Sequence, residues 1–477
     1  MILGIDDTDS RTDGMCTTYL ATRLAERLER DGATVTDRLL FRLNPNVPWK
    51  TRGNGCLALH VDASDLGEDA VWRTAVAAIE RHAVLDDPDT NPGLALLTAD
   101  ERTDATVDAL ADHALRCVRR VVEPDDARAL AEETGARFSI WGTGRGAVGA
   151  VAALGADRAI DRYGDETREL LAYRDDGWEE PRRYDADSFR MAHEATAPAT
   201  WDTVDPASGD VVAVPNTDGP VLYGVRGESD GAVERAHRRI DCEDADRIGV
   251  FRTNQGTDMH LVPTPIEELP AAGTAATDGG SGDASVGHTD TGRTGGGHAL
   301  GSYAVDGTIT DGPTTREGGH VFLELDGALT CAAFEPTKRF RDAVRRLREG
   351  DRVTACGSLR DGTLRLEKLR VDALRRWQRV TPRCAGCGRT MGSAGADQGY
   401  RCRDCGTSAA GRVAVTLTRD LAAGWHEVPP GARRHLAMPL VRLRSGAAEP
   451  VVERRRDGAP DRDDVVRDDA GRASPPR

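Results

Sequence analysis

The 477-residue chain is long enough for three or four domains, and it contains no run of about 18 apolar residues, which excludes a helix-spanned membrane protein. Its formal charge is −16 and only three of its basic residues are lysine (Lys50, Lys338 and Lys368), the composition of a salt-adapted protein in which surplus carboxylates are background. Ten cysteines, two pairs of them closely spaced, point to metal rather than disulfides, and with no basic-then-apolar leader they predict a soluble, cytoplasmic protein.

In chain order, an apolar strand is expected at 1–5 and a helix at 16–31, where Leu20, Leu24 and Leu28 share one face. Between them lies Ile5-Asp6-Asp7-Thr8-Asp9-Ser10. Residues 6–13 hold four aspartates, Asp6, Asp7, Asp9 and Asp13, where the chain's average frequency gives about 1.3 acidic residues. Carboxylates at a strand end suit Mg²⁺ carried with a nucleotide's phosphates; a salt-adapted loop is the plainer alternative. Gly14-Met15-Cys16-Thr17-Thr18 then opens the helix, where free N–H groups and the helix dipole favour a phosphate. The hydroxyls of Thr17 and Thr18 suit receiving or orienting a phosphoryl group, or they act as plain caps.

A polar loop at 42–54 carries Trp49, Lys50 and Arg52, candidate phosphate or base contacts in a chain nearly free of lysine. Helices are expected at 70–83 and 104–118, then a strand at 138–141 entering Gly142-Thr143-Gly144-Arg145-Gly146 and a small-residue helix to Leu154. The glycines at 144, 146 and 149 match a dinucleotide fingerprint only formally, lacking a convincing parallel strand and acidic partner. The stretch reads as a phosphate-cradling loop with Arg145 supplying charge, and no Walker lysine motif is present. Strands at 167–173, 221–225 and 247–251, with a helix at 231–240, suit a ferredoxin-like α+β domain. Residues 251–260 are dense in hydrogen-bonding groups, and Asp258 is a candidate partner for a cationic substrate.

Residues 271–299 and 446–477 lack the large apolar side chains that offset ordering entropy and read as a linker and a tail. Between them, strands at 303–309, 320–325 and 329–333, a helix at 338–347, and strands at 352–358 and 363–371 follow the order of an OB-fold. Asp361-Gly362 is a hairpin turn joining the last two. Cys384, Cys387, Cys402 and Cys405 form two tight pairs, each followed by glycine, that close a structural tetrahedron around Zn²⁺ with no open position. Lys and Arg exceed Asp and Glu by 9 over 301–445, whereas 1–300 carries −24, so the basic block reads as the footprint of a polyanion, a protein–protein surface complementing the acidic half being the plainer alternative.

At these residues the chain resembles the TiaS family, archaeal tRNA(Ile2) 2-agmatinylcytidine synthetases. The resemblance rests on Ile5 to Ser10, Gly14 to Tyr19, Gly142 to Gly146, Val225-Arg226-Gly227-Glu228 and Phe251 to His260, with the OB-like segment and zinc ribbon behind them in order. It implies an α/β and α+β multidomain protein: a kinase-like ATP-binding domain at 1–135, a ferredoxin-like domain at 136–268, a linker at 269–300, an OB-fold at 301–375, a zinc ribbon with basic segment at 376–445, and a tail. It further implies an ATP-dependent ligase that phosphorylates C2 of the wobble cytidine of tRNA(Ile2) and displaces the phosphate with agmatine, so that the anticodon CAU decodes AUA. Carried onto this sequence, Asp6, Asp7, Asp9, Thr17 and Thr18 are catalytic, a threonine (Thr17, or else Thr18) being autophosphorylated in the family. Asp6, Asp7, Thr8, Gly142, Gly144, Arg145 and Gly146 hold ATP with Mg²⁺. Glu228, Asn254, Gln255 and Asp258 receive agmatine, and Trp49, Lys50 and Arg52 meet RNA. No stable protein partner is expected. The competing reading is a non-catalytic OB-fold and zinc-ribbon protein coating single-stranded nucleic acid, which leaves the aspartates and glycine loop without a task.

Overall fold

The computed structural model describes residues 1–50, 53–270 and 300–450; Arg52, the expected linker at 271–299 and residues 451–477 of the expected tail lie outside them. The chain opens with β1 (Ile2–Asp6), whose residues are buried on both faces, as a central strand requires. Helix α1 (Thr17–Arg30) buries Leu20, Leu24 and Leu28 on one side. Strands β2 (Thr34–Arg42) and β3 (Gly55–Asp62) pair antiparallel around the loop that holds Trp49 and Lys50. After α2 (Glu68–His82) come β4 (Gly93–Leu97), α3 (Asp104–Arg119), α4 (Pro124–Glu133), β5 (Arg137–Ile140), α5 (Gly146–Leu154) and α6 (Ala156–Tyr163). The second half of the sheet is built from β6 (Thr167–Tyr173), α7 (Ala186–Thr196), β7 (Thr200–Trp201), β8 (Val221–Gly227), α8 (Asp230–His237) and β9 (Arg247–Thr253).

All nine strands share one sheet, in the order β5-β4-β1-β3-β2-β9-β6-β8-β7. Its halves meet where β2 runs parallel to β9, with Leu39 opposite Arg252 and Leu40 opposite Thr253. Strand β5 hydrogen-bonds antiparallel to β4, so the glycine turn that follows it springs from the first half. Helix α5 has the sequence GAVGAVAAL and lies flush on β1. A Cβ on Gly4 would stand 2.0 Å from the Ala150 carbonyl oxygen, and one on Gly149 would stand 2.0 Å from the Asp6 carboxylate. Glycine at position 4 therefore lets strand and helix backbones meet, and glycine at 149 leaves room for the Asp6 carboxylate where the strand ends.

The C-terminal half begins with β10 (Leu261–Pro263) and continues through β11 (Ser302–Thr315), β12 (Val321–Leu325), β13 (Leu329–Ala333), α9 (Phe340–Arg345), β14 (Arg352–Arg360) and β15 (Thr363–Ala373). Strand β11 pairs with both β12 and β14, β13 runs parallel to β15, and β14 pairs with β15, which closes a five-stranded barrel. With α9 between the third and fourth barrel strands and Phe340 and Val344 buried in its core, this is the OB arrangement. Asp361 and Gly362 are both left-handed (φ 50° and 72°), as the tight hairpin between β14 and β15 demands.

A two-stranded stem, β16 (Trp377–Val380) with a strand at Val413–Thr416, carries a small three-stranded ribbon. A further strand at Gly424–Glu427 returns to pair with β15. The chain then runs back across the nine-stranded sheet: the Gly256 and Asp258 amides donate to the carbonyls of His435 and Leu436, both at 2.8 Å. Its last helix, Leu440–Ser445, anchors there through Arg442, which contacts Glu228 at 2.7 Å and Asp165 at 2.9 Å. Among the described residues no helix is long and apolar enough to cross a membrane.

Candidate active site

A cavity of about 480 Å³ opens between the two halves of the sheet and is closed on a third side by the returning segment, through Pro430, Gly431, Arg433 and His435. One end of it is acidic. Asp6 sits at the end of β1, where its carboxylate accepts from the amides of Asp7 and Gly149. Burial, reinforced by the neighbouring Asp7 charge, holds its carboxyl well above the ordinary range. Asp7 accepts from the Asn91 amide at 3.1 Å, and burial together with Asp9 pushes its carboxyl up to about 7. Asp7 and Met15 both take left-handed backbone (φ 56° and 62°), so the loop between β1 and α1 is held in a strained shape that its surroundings must enforce.

The first turn of α1 faces the same space. The Thr8 hydroxyl donates to Thr17 Oγ1 at 3.1 Å, which ties the loop to the helix, and Thr18 Oγ1 lies 3.0 Å from Cys16 Sγ. Thr17 and Thr18 both line the cavity, so their hydroxyls stand beside the aspartates. The glycine turn is braced by Asn91, whose Oδ1 accepts from the Thr143 amide at 2.7 Å and hydroxyl at 2.8 Å. Gly142 and Gly144 are left-handed (φ 60° and 79°). A Cβ on Gly142 would stand 2.4 Å from Asn91 Oδ1, so the turn needs glycine there. Arg145 reaches the cavity, and its charge opposes the rise of the Asp7 carboxyl.

The opposite end is basic. Arg42 and Arg226 flank the buried Glu169 at 3.6 and 3.1 Å, and Arg226 also reaches Asp202 at 3.6 Å. Asp202 contacts Arg433, which lies 2.9 Å from Glu427 on the barrel side. One chain of alternating charges thus links both halves of the sheet to the returning segment and the barrel. Lys50 donates to the Pro45 carbonyl, and burial with Arg434 and Arg11 nearby pulls its ammonium down to about 8.

Far from this cavity, the sulfurs of Cys384, Cys387, Cys402 and Cys405 all lie within 4.8 Å of one another. The two pairs are near-copies: the Gly388 amide donates to the Cys384 carbonyl at 2.8 Å, and Gly406 to Cys402 at 3.0 Å. Gly388 and Gly406 are left-handed (φ 73° and 70°), which turns each loop back toward its sulfurs. Four thiolates in this arrangement fit a structural zinc ion.

The family model described as the TiaS TCKD domain matches residues 2–142, that of the TiaS FLD domain matches 144–260, and that of the TiaS C-terminal zinc ribbon matches 381–421. The chain belongs to the TiaS family. A tRNA(Ile2) 2-agmatinylcytidine synthetase TiaS of Haloquadratum walsbyi is 40% identical over 490 residues, covering 92% of this chain and 97% of the relative. Its counterpart from Methanosarcina acetivorans is 42% identical over 451 residues, covering 93% and 98%. Among solved structures, the TiaS–tRNA(Ile2)–ATP complex aligns with a TM-score of 0.76 at 39% identity, over 92% of this chain and 97% of that one. The TiaS–tRNA(Ile2)–AMPCPP–agmatine complex aligns with a TM-score of 0.74 at 36% identity, over 92% and 96%.

Within this TiaS chain the cavity gathers Asp6, Asp7, Asp9, Thr17, Thr18 and Arg145, and also Trp49 and Lys50 at its basic end. It does not gather the four residues expected to receive agmatine. Asn254 clamps β2 to β9, accepting from the Arg42 amide at 2.8 Å and donating to its carbonyl at 3.0 Å. Gln255, fully buried, donates to Glu169 at 2.5 Å. Asp258 is buried against Lys368 of the barrel at 2.7 Å and accepts from the Met438 amide at 2.7 Å. Glu228 is held by Arg442. Both acids already carry a cation of this chain, because they anchor the barrel and the returning segment. The residues that sequence reasoning missed are Asn91, Glu169, Asp202 and His435. Asn91 had a signal, a polar Asn-Pro-Gly turn before an apolar strand; His435 had none, standing hundreds of positions from the residues it joins.

Proposed function

We propose that the chain is an ATP-dependent tRNA(Ile2) 2-agmatinylcytidine synthetase. It joins agmatine to C2 of the wobble cytidine at position 34 through a C2-phosphorylated intermediate, so that the tRNA with anticodon CAU decodes AUA. The supporting observation is a single cavity that sets buried aspartates and helix-turn hydroxyls at one end against arginines at the other. The relatives bear the synthetase name, and the aligned structures hold tRNA(Ile2) with ATP, or with AMPCPP and agmatine. A tRNA substrate implies work in the cytoplasm.

The chemistry asks two things of the chain. The cytidine O2 must form a bond to the γ-phosphorus of ATP as ADP leaves, since an unactivated oxygen is a poor leaving group. The neutral amine of agmatine then bonds to C2, the phosphate leaves, and the amine gives up its protons. Asp6, Asp7 and Asp9 fit Mg²⁺. The Asp6 and Asp7 carboxyls lie high because burial and the neighbouring aspartate charges disfavour ionisation, and Mg²⁺ needs only one or two carboxylates beside phosphates and water. When bound with ATP, that ion supplies charge neutralisation on the phosphates. The turn at Gly142, Gly144 and Gly146 with Arg145 cradles the nucleotide, and Thr8 fixes the Thr17 hydroxyl at the mouth of α1. Thr17 or Thr18 is the phosphorylated threonine under this reading. The zinc ribbon and OB barrel hold the RNA, and Trp49 and Lys50, which line the cavity, meet it there, with Arg52 a further contact under this reading.

Steady-state ATP consumption tests this reading. Turnover is expected only with both agmatine and a tRNA(Ile2) transcript present beyond any single autophosphorylation event. A zinc-loaded protein that binds the transcript yet consumes no ATP would instead be a nucleic-acid coat.

A further inference from the structure

The basic end of the cavity contains one side chain that ion pairing does not account for. The returning segment places His435 against Arg226, whose Nη2 lies 2.8 Å from His435 Nδ1. Guanidinium nitrogens only donate, so Nδ1 must offer its lone pair and the ring proton must sit on Nε2. Arg42 first, then burial, Arg226 and Lys50, press the imidazole well below its ordinary pKa, so it stays neutral in that tautomer. Its Cδ2–Nε2 edge lies against Gly53, where a Cβ would stand 2.8 Å from Nε2, and no hydrogen bond from Nε2 is present among the described residues. The backbone is fixed as well, because the His435 carbonyl accepts from Gly256.

The charges around this ring do not balance. Arg42, Lys50 and Arg226 line the cavity here beside Glu169 and Asp202, while Arg433 is taken up by Asp202 and Glu427. Glu169 is shared between Arg42 and Arg226, and Asp202 between Arg226 and Arg433. The charged groups acting on Lys50 are Arg434 and Arg11, both cations. Cationic donors converge here with a neutral N–H donor, and among the described residues Lys50 has no carboxylate acting on it, which is the chemistry of an anion site rather than of an amine site.

We propose that Arg42, Lys50, Arg226 and the Nε2–H of His435 form a phosphate-binding corner of the cavity, completed by the segment that returns from the barrel. The phosphate comes either from the nucleotide or from the backbone of the RNA strand. This rests on the reading above only in that a phosphate-bearing substrate enters the cavity. Arg226 acts as a positioning residue, since it fixes which ring nitrogen of His435 carries the proton.

The test uses full-length, zinc-loaded protein and reads binding without turnover, so it stands apart from whether agmatine is joined. Affinities for AMPCPP and for the tRNA(Ile2) transcript are measured separately for the native protein, His435→Leu and His435→Gln. His435→Leu weakens one of them by roughly tenfold or more, the scale of a hydrogen bond to a charged group, and His435→Gln restores part of the loss. Loss confined to AMPCPP assigns the phosphate to the nucleotide; loss confined to tRNA assigns it to the RNA strand. Both affinities within twofold of native would overturn the proposal. Should His435→Leu not fold, ¹⁵N NMR of the native ring decides: a protonated Nε2 that shifts on adding AMPCPP or tRNA supports the corner, and a protonated Nδ1 overturns it.

Discussion

Asp7 is the residue on which stability and function pull in opposite directions. Its carboxyl is raised from 3.8 to about 7, so the fold prefers it neutral. That contribution is complete below about pH 4 and is lost as pH rises through 7, where ionisation costs the unliganded protein roughly 2–4 kcal/mol. Asp7→Asn keeps an acceptor for the Asn91 amide and suits the left-handed backbone. It is expected to raise the melting temperature at pH 8, to leave it unchanged at pH 4, and to abolish ATP turnover while tRNA affinity stays within a few-fold. An unchanged melting temperature at pH 8 would mean that the Asp7 charge is balanced in the free protein. Gly149→Ala probes the same spot from the helix side, since its Cβ would stand 2.0 Å from the Asp6 carboxylate. We expect a loss of about 1–3 kcal/mol in denaturant unfolding and at least about a tenfold fall in ATP turnover as Asp6 is displaced.

At the level of elements, the returning segment is what joins the cavity to the barrel. Arg442 is buried between Asp165 and Glu228, and Arg442→Ala removes the buried cation that the two carboxylates share. The expected cost is about 3–5 kcal/mol, with faster amide exchange over residues 433–442 as the readout. Cys402→Ser removes one zinc ligand; bound zinc and tRNA affinity should fall while AMPCPP affinity holds, because the ribbon stands on its own stem away from the cavity. Elements whose apolar pattern was strongly periodic, such as α1, α3 and the barrel strands, were legible from the sequence. Strands β2, β3 and β4 were not, since β2 reads as Thr-Val-Thr-Asp-Arg before its apolar half and β4 as the short run Gly-Leu-Ala-Leu-Leu. Helix α6 is hidden by following α5 across Gly155 alone. The aspartates, threonines and glycine turn were visible because they cluster within single stretches. Glu169, Asp202 and His435 were invisible because only the sheet and the returning segment bring them together, and the pairing of Asp258 with Lys368 was invisible because the two lie 110 positions apart.

Across the whole molecule, charge is divided between a strongly acidic sheet domain and a basic barrel and ribbon, −24 over residues 1–300 against an excess of 9 cations over 301–445. An RNA held mainly by the basic half should bind with a strong salt dependence, log Kd rising linearly with log salt. Deleting the ribbon at 381–421 should flatten that slope, because it removes phosphate contacts but leaves the cavity's aspartates and threonines in place. The central claim, that this cavity joins agmatine to a cytidine, is tested most directly by the mass of the product nucleoside. After incubation with ATP, agmatine and tRNA(Ile2) transcript, digestion should yield a position-34 cytidine heavier by agmatine less one water, absent when Asp7→Asn protein is used. An unmodified cytidine from folded, zinc-loaded native protein would contradict the account.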